Sequence, residues 1–311
     1  MTPLRFDGRT AIVTGAGGNP GLGRAHAMLL AERGANVVVN DIGSAPEMRG
    51  YPAPADALAV AEEIRAAGGR AVASTHSVAT VDGAEALART AIEVFGGLDI
   101  LVNNAAISVA APTEVMTERD FRRHIDINLM GAIWCCRAAW PHMKAAGYGR
   151  IVNTTSGAMT GFAMQAAYAA SKGGLWALTR ALAAEGAGHG IKVNALSPAA
   201  NSRLVASMLE EDSPLLAQAR AHLPAEAVSP TLAWLCHADC PVTGECIDSG
   251  AGTVQRTLIA RTRGMTAPGH AIEDVAARWD EIMATDQAEW IGLAAQDTAQ
   301  WKLRPYPGDA E

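Results

Sequence analysis

Tyr168 and Lys172 lie four positions apart in Tyr168-Ala169-Ala170-Ser171-Lys172, a segment that reads as the start of a helix. The spacing puts both side chains on one helical face, where an ammonium beside a phenol favours the ionised phenol. An unperturbed tyrosine titrates near pH ~10, so proton transfer near neutrality needs a depression of roughly two to three units, about 3–4 kcal/mol of differential stabilisation. A lysine at this offset can supply much of it. The same spacing also arises by chance in helices, so the surroundings decide what the pair means.

A second group of residues suits a phosphate-bearing ligand. Thr14-Gly15-Ala16-Gly17-Gly18-Asn19-Pro20-Gly21-Leu22-Gly23 follows the first apolar run and opens a helix. Gly15, Gly21, Leu22 and Gly23 would there present backbone N–H groups and a helix N-terminus to a pyrophosphate. A plain strand-to-helix turn has the same composition, and Asp41 separates the two readings. It stands eighteen residues after Gly23, at the end of the second apolar run, where a carboxylate accepts hydrogen bonds from a ribose diol and repels a 2′-phosphate. No arginine or lysine precedes Gly21 in the loop, and Arg24 is the only nearby cation. The expected cofactor is therefore NAD rather than NADP.

The elements that would hold these groups alternate. Ala11–Val13, Asn36–Asn40, Ala71–Ser74, Ile100–Val102, Ile151–Asn153, Val193–Leu196 and Cys246–Ile247 read as strands. Gly23–Gly34, Pro54–Ala67, Asp82–Phe95, Thr117–Ala146, Tyr168–Gly188 and Ala225–His237 read as helices. Strand followed by helix, repeated, predicts an α/β fold with one doubly wound, Rossmann-type parallel sheet covered on both faces. After Gly252 the alternation stops, and Ile272–Ala284 with Asp286–Ala295 read as polar helices. The expected organisation is a nucleotide-binding catalytic domain over residues 1–252 and a C-terminal helical extension, 253–311, docked on it, because about sixty residues are marginal for an independent core.

Composition narrows the function. With 311 residues, 49% hydrophobic and 18% charged, the chain can bury a large core, and a formal net charge of −7 argues against nucleic acid or an anionic membrane surface as partner. No stretch approaches a membrane span, the N-terminus does not read as a secretory leader and the C-terminus carries no recognisable organelle address, so a cytoplasmic protein is expected. Five cysteines without a CxxC pair suit a reducing compartment. Cys236-His237 with Cys240 and Cys246 matches no common zinc spacing, and no metal is expected.

With the glycine loop, Asp41, Asn103-Asn104-Ala105, Asn128, Ser156, Tyr168 and Lys172 in this order, the chain resembles the short-chain dehydrogenase/reductase family over about residues 5–252. Leu4–Arg9, Ala31–Ala35, Val37–Asp41, Arg137–Lys144 and Trp234–His237 look closer still to the (3R)-hydroxyacyl-CoA dehydrogenase unit of multifunctional β-oxidation enzymes. The resemblance implies a sheet of about seven strands and an oxidoreductase. Tyr168 would be its general acid/base, Lys172 would lower the tyrosine pKa and hold the nicotinamide ribose, Ser156 would orient the substrate oxygen, and Asn128 would anchor a water in a proton relay. It further implies cofactor contacts at Ser77 and Val78 beside the adenine, at Asn104 and Ala105, and at Pro198 and Ala199 near the nicotinamide. A protein that kept the fold and cofactor but lost turnover is the alternative reading.

Several positions depart from the family pattern. Five residues rather than three separate Gly15 from Gly21, and Pro20 has no N–H to donate, so the phosphate loop must bulge. Ser156 lies twelve residues before Tyr168 where the family more often has thirteen, which leaves Thr155 as a rival hydroxyl. Asn201–Ser229, with Met208, Leu209, Leu215 and Leu216, reads either as a lid over an apolar alcohol or ketone or as an ordinary amphipathic helix; Met159, Phe162 and Met164 would form the opposite wall. A 3-hydroxyacyl thioester and a cyclic, steroid or terpene alcohol both fit as substrates, and Arg203, Arg256, Arg261 and Arg263 are candidate cations for a thioester's phosphates. Thr117–Ala146 and Tyr168–Gly188 match the helices through which the family dimerises, so a homodimer or homotetramer is expected, with Trp134 and Trp176 as contacts.

Overall fold

Seven short runs rich in β-branched and small residues, most of whose positions are buried, build the centre of the molecule. In the computed structural model, which describes residues 3–43 and 56–293, they are β1 (Thr10–Thr14), β2 (Asn36–Asn40), β3 (Arg70–Ser74), β4 (Ile100–Asn103), β5 (Gly149–Thr154), β6 (Ile191–Ala199) and β7 (Cys246–Gly250). They pair in parallel in the order β3-β2-β1-β4-β5-β6-β7. An eighth strand, β8 (Thr253–Thr257), turns back beside β7 in antiparallel register, with Cys246 opposite Thr257 and Gly250 opposite Thr253. Its residues are mostly exposed, which is why no apolar run marks it in the sequence.

Between the strands lie α1 (Leu22–Glu32), α2 (Ala57–Ala66), α3 (Val81–Phe95), α4 (Glu118–Arg123), α5 (Gly131–Ala146), α6 (Ala166–Gly186), α7 (Arg203–Met208), α8 (Pro214–His222) and α9 (Ser229–Cys236). Local chemistry sets several starts: the side chains of Asp56, Thr80, Thr117 and Ser202 accept the N–H groups of Ala59, Gly83, Asp120 and Val205. The single helix expected over Thr117–Ala146 is interrupted by a wide π-turn at His124–Met130. The helix expected over Ala225–His237 begins as a short 3₁₀ turn, Ala225–Ala227, with α9 starting only at Ser229, next to Pro230. Pro54, expected to open α2, lies outside the described residues.

The chain separates into two compact units, Met1–Thr257 and Leu258–Glu311. The second holds a two-residue strand β9 (Ala260–Arg261), short helices α10 (Ile272–Ala277) and α11 (Trp279–Met283), and β10 (Glu289–Trp290), which pairs antiparallel with β9. A helix over Asp286–Ala295 is therefore not what forms: Gly292 breaks the helical period and the Glu289-Trp290 pair extends instead; residues 294 and 295 lie outside the described residues. No helix among the described residues is long and apolar enough to cross a membrane.

Going β1, β2, β3 the chain runs to one edge, then crosses back to lay β4 against the other side of β1. The topological switch point falls between β1 and β4, where open α/β sheets leave a crevice beyond their carboxyl ends.

Candidate active site

The carboxyl ends of six strands deliver the site. Gly15 follows β1, Asp41 follows β2, Ser77 and Val78 follow β3, Asn104 and Ala105 follow β4, Ser156 follows β5, and Pro198 and Ala199 close β6. All of them line one cavity of about 500 Å³, together with Gly21, Leu22, Tyr168 and Lys172. Gly23 lies one residue behind the wall, inside α1: a Cβ there would stand 2.4 Å from Gly15 O and 2.6 Å from Asn104 Nδ2. The glycine pattern is thus a matter of close approach between β1, α1 and the end of β4.

Thr14 and Asn104 fasten that junction. Thr14 Oγ1 accepts the N–H groups of Asn104 and Ala105, both at 3.0 Å, and Asn104 Nδ2 donates to Thr14 O and Gly15 O at 2.9 and 3.1 Å. Asp41 accepts Gly17 N–H at 3.0 Å and Gly43 N–H at 3.1 Å, so its carboxylate is fixed at the end of β2. The loop backbone, the N-terminus of α1 at the cavity wall and the Asp41 carboxylate together fit a dinucleotide with a free ribose diol.

Tyr168 and Lys172 share the buried face of α6, as their spacing requires. Helix α6 begins at Ala166, so the pair sits in its first two turns. Lys172 is 2% exposed, and its Nζ donates to Thr154 O at 2.6 Å and lies 5.5 Å from the centroid of the Tyr168 ring. No carboxylate pairs with it among the described residues, and burial pulls its pKa down to about 7. An ammonium so poorly solvated interacts strongly with any negative charge that forms on the neighbouring phenol.

The two candidate hydroxyls point to different places. Thr155 is 1% exposed, and its Oγ1 donates to Leu196 O at 3.2 Å on neighbouring β6. Ser156 is half-buried at the cavity wall, and among the described residues its Oγ accepts just the local Ala158 N–H, 3.2 Å, at the start of a 3₁₀ turn.

Asn128 sits in the π-turn and does not line the cavity. Its Oδ1 accepts Ile107 N–H at 2.8 Å, and its Nδ2 donates to Ile107 O at 2.9 Å and Ser171 Oγ at 3.1 Å. The side chain is therefore a clamp on Ile107, which does line the cavity. His124, one helical turn earlier, was not singled out by the sequence. Its Nδ1 donates to Asp120 O at 2.7 Å, which makes Nε2 the acceptor for Val109 N–H at 3.0 Å, and its ring meets Tyr168 edge-on at 6.4 Å. Burial lowers its pKa, keeping the imidazole neutral. His124 and Asn128 thus stitch the loop that follows β4 to the π-turn, a kind of helix defect often found at functional sites.

The remaining wall is apolar. Ile107, Ile127, Phe162, Leu204, Val205 and Leu223 supply it, with Gln165 one turn before Tyr168 as a polar exception. Of the expected opposite wall only Phe162 lines the cavity. In the Asn201–Ser229 segment the lining falls to Ser202, Leu204, Val205, Ala219 and Leu223, while Leu216 is fully buried and Leu215 is 64% exposed. Arg256 is committed to Glu245 by two hydrogen bonds at the sheet edge, 2.6 and 2.8 Å. All five cysteines are buried thiols; burial lifts Cys136 to about 12 and Cys246 to about 11, and no cluster among the described residues could hold a metal.

Residues 9–212 match the sequence model of the family described as short chain dehydrogenase. The chain belongs to the short-chain dehydrogenase family. It is an oxidoreductase, and its mostly parallel sheet with helices around it is the Rossmann-type fold the resemblance implied. Among relatives, it is 38% identical over 318 residues to the peroxisomal multifunctional enzyme type 2 of Drosophila melanogaster, covering 99% of this chain and 51% of that one. It is 40% identical over 290 residues to the enzyme of the same name from Mus musculus, covering 90% of this chain and 37% of that one. The chain thus spans about half or less of these multifunctional relatives. A crystal structure of a short chain dehydrogenase from Mycobacterium avium superposes with a TM-score of 0.76 at 35% identity, over 91% of this chain and 96% of the other.

Proposed function

We propose that this short-chain dehydrogenase interconverts a secondary alcohol and a ketone on an apolar small-molecule substrate, with NAD as cofactor. The observation that carries the reading is the buried Lys172 ammonium, held by Thr154 O against the Tyr168 ring in the wall of the cavity. Tyr168 is then the acid/base group: its phenol takes the hydroxyl proton of the alcohol in oxidation and returns it in reduction. Lys172 stabilises the tyrosinate, and Ser156 Oγ, free of the sheet bonds that occupy Thr155, orients the reacting oxygen. The bound nicotinamide would supply the hydride acceptor and donor. Gly15, Gly21, Leu22 and Gly23 would hold its pyrophosphate, Asp41 the adenosine ribose, Ser77 and Val78 the adenine side, and Asn104, Ala105, Pro198, Ala199 and Lys172 the nicotinamide half.

Asn128 serves this site as a positioning residue, since its side chain holds Ile107 against the cavity. The apolar wall suits either a 3-hydroxyacyl thioester or a cyclic, steroid or terpene alcohol. Residues 253–311 are read as an extension docked on the catalytic domain. Assembly as a homodimer or homotetramer through α5 and α6, where Trp134 and Trp176 are half-buried, completes the reading, and the buried free thiols suit a reducing, cytoplasmic setting.

The test follows nicotinamide absorbance with a panel of hydroxyacyl-CoAs, hydroxysteroids and terpene alcohols, using Tyr168→Phe as control. NAD-linked turnover that falls at least about a thousandfold in the variant, with NADH binding retained, is the expected result. Unchanged turnover in Tyr168→Phe sinks the mechanism, and tight NADH binding without turnover on any substrate favours a cofactor-binding regulatory protein.

A further inference from the structure

Ala105, Ala106 and Ile107 line the cavity, and the π-turn grips the loop they belong to at two points. Asn128 takes both backbone groups of Ile107, and His124 takes the N–H of Val109, two residues on. Of the two grips, only that of His124 depends on a protonation state. The ring is fully buried, and its two nitrogens face partners of opposite kind: Asp120 O can only accept and Val109 N–H can only donate. Nδ1 therefore carries the proton and Nε2 the lone pair, and a second proton on Nε2 would point at an N–H. An imidazolium and this arrangement of the loop exclude each other.

The same ring touches the reacting residue. Its centroid lies 6.4 Å from that of Tyr168 at an interplanar angle of 79°, the geometry of an attractive edge-to-face pair. Past Val109 the loop also braces the far side of the site, where Ala111 N–H donates to Met164 O at 2.9 Å. Met164 stands at φ +64°, a left-handed conformation that a residue other than glycine keeps only where its surroundings hold it. It lies between Ser156 and Tyr168 in the chain, so the loop supports the segment that joins them.

We propose that His124 is a positioning residue for the reaction: the neutral imidazole sets the Ile107–Val109 wall against the Tyr168 ring, and a second proton releases the wall. The inference rests on the reading of Tyr168 as the acid/base group and adds the element that aligns a substrate with it. The ionisable groups around the ring come from few places. Asp120 favours the second proton and Arg123 opposes it, but burial opposes it most. Asp126 follows in the π-turn, and α6 presents Tyr168 with the Lys172 ammonium 5.5 Å from its ring. Neither Ala105–Ala111 nor Gly131–Trp134, which opens α5, contains an ionisable residue. With burial dominant, release falls on the acid side of the ordinary imidazole pKa of ~6.5.

Two substitutions separate the bond from the ring. His124→Gln keeps an amide oxygen to accept Val109 N–H and cannot take a proton, but loses the ring; His124→Phe keeps a ring and loses both hydrogen bonds. The full chain and both variants are assayed between pH 5 and pH 8 at saturating NADH. The probe is the ketone of whichever hydroxyacyl-CoA, hydroxysteroid or terpene alcohol turns over fastest, because in reduction acid does not remove the proton that Tyr168 must give. Hydrogen-exchange mass spectrometry of residues 105–111, corrected for intrinsic rates and with β4 as internal control, follows the loop without any substrate. In the wild type, KM should rise about fivefold or more from pH 7.5 to pH 5 and loop protection fall about tenfold or more, with β4 unchanged. His124→Gln should hold KM and protection level across the range with kcat lower by about threefold or more, whereas His124→Phe should show the raised KM and weak protection at every pH with kcat within about threefold. A wild-type KM and loop protection that ignore pH overturn the proposal, as do variants in which KM and kcat move together. Absence of turnover on every probe, or full activity in Tyr168→Phe, overturns the acid/base reading instead, and the exchange data still decide the grip on the loop. The pH comparison needs no variant, so the test survives a substitution that fails to fold.

Discussion

Replacing Lys172 with methionine should make the protein more stable at pH 6 while destroying its turnover. Lys172 is 2% exposed, and burial sets its pKa at about 7 in the folded chain, against ~10.4 for an unfolded lysine. Between those values the unfolded chain binds more protons than the folded one, so stability rises with pH across that window; below about pH 7 both states carry the proton and the whole burial penalty is present. A separation of about three and a half units corresponds to roughly 4–5 kcal/mol below pH 7, of which about 2–3 kcal/mol is relieved between pH 6 and pH 9. Methionine fills a similar volume and carries no charge. It also leaves Thr154 O without the Nζ donor at 2.6 Å, a cost of about 1–3 kcal/mol at either pH. Lys172→Met should therefore exceed the wild type by about 2–3 kcal/mol at pH 6 and roughly match it at pH 9. Urea unfolding of both proteins at the two pH values, without nucleotide, reads the difference from midpoints and slopes. A difference that does not change with pH would mean that the folded lysine is not depressed, and the account of a strained, poorly solvated ammonium would fall with it.

Two further substitutions probe what surrounds that ammonium. Ser156→Ala should lower kcat by about 10²–10³ with NADH affinity unchanged, whereas Thr155→Val should leave kcat within a few-fold and cost about 1 kcal/mol of stability, because Thr155 Oγ1 is turned into the sheet, donating to Leu196 O beside Cys246 Sγ; the reverse pattern in steady-state kinetics would exchange their roles. Asn128→Ala strips the partners from both Ile107 N–H and Ile107 O, so urea unfolding should register a loss of about 2–4 kcal/mol. Substrate KM should rise as the Ile107 wall loosens, and a variant as stable as wild type would refute the clamp.

The parallel sheet was legible because each of its seven strands is a short apolar run bounded by a helical pattern, and a sheet buried on both faces writes itself that way. The same rule hid β8: Thr253–Thr257 is exposed along nearly its whole length, so only its register against β7 identifies it, and register is a property of two segments at once. The π-turn at His124–Met130 was illegible for a related reason. Nothing in His124-Ile125-Asp126-Ile127-Asn128 breaks a helical period; what widens the turn is tertiary, with His124 and Asn128 each taking a backbone group from the loop beyond β4.

The candidate site shows the same division between what spacing carries and what only packing supplies. Four residues of helix place Tyr168 and Lys172 on one face, and that much is arithmetic. The arithmetic is silent on whether the face is wet, and a wet lysine would lower a phenol's pKa by little, because water screens the pair. Burial makes the pairing strong, and it comes from Thr154 at the end of β5, which offers a carbonyl and no counter-charge. The cost of holding an ammonium there is the source of its leverage on the tyrosine: a side chain that stabilised the fold at pH 6 would already have found its partner, and would have less to give to a proton-transfer reaction.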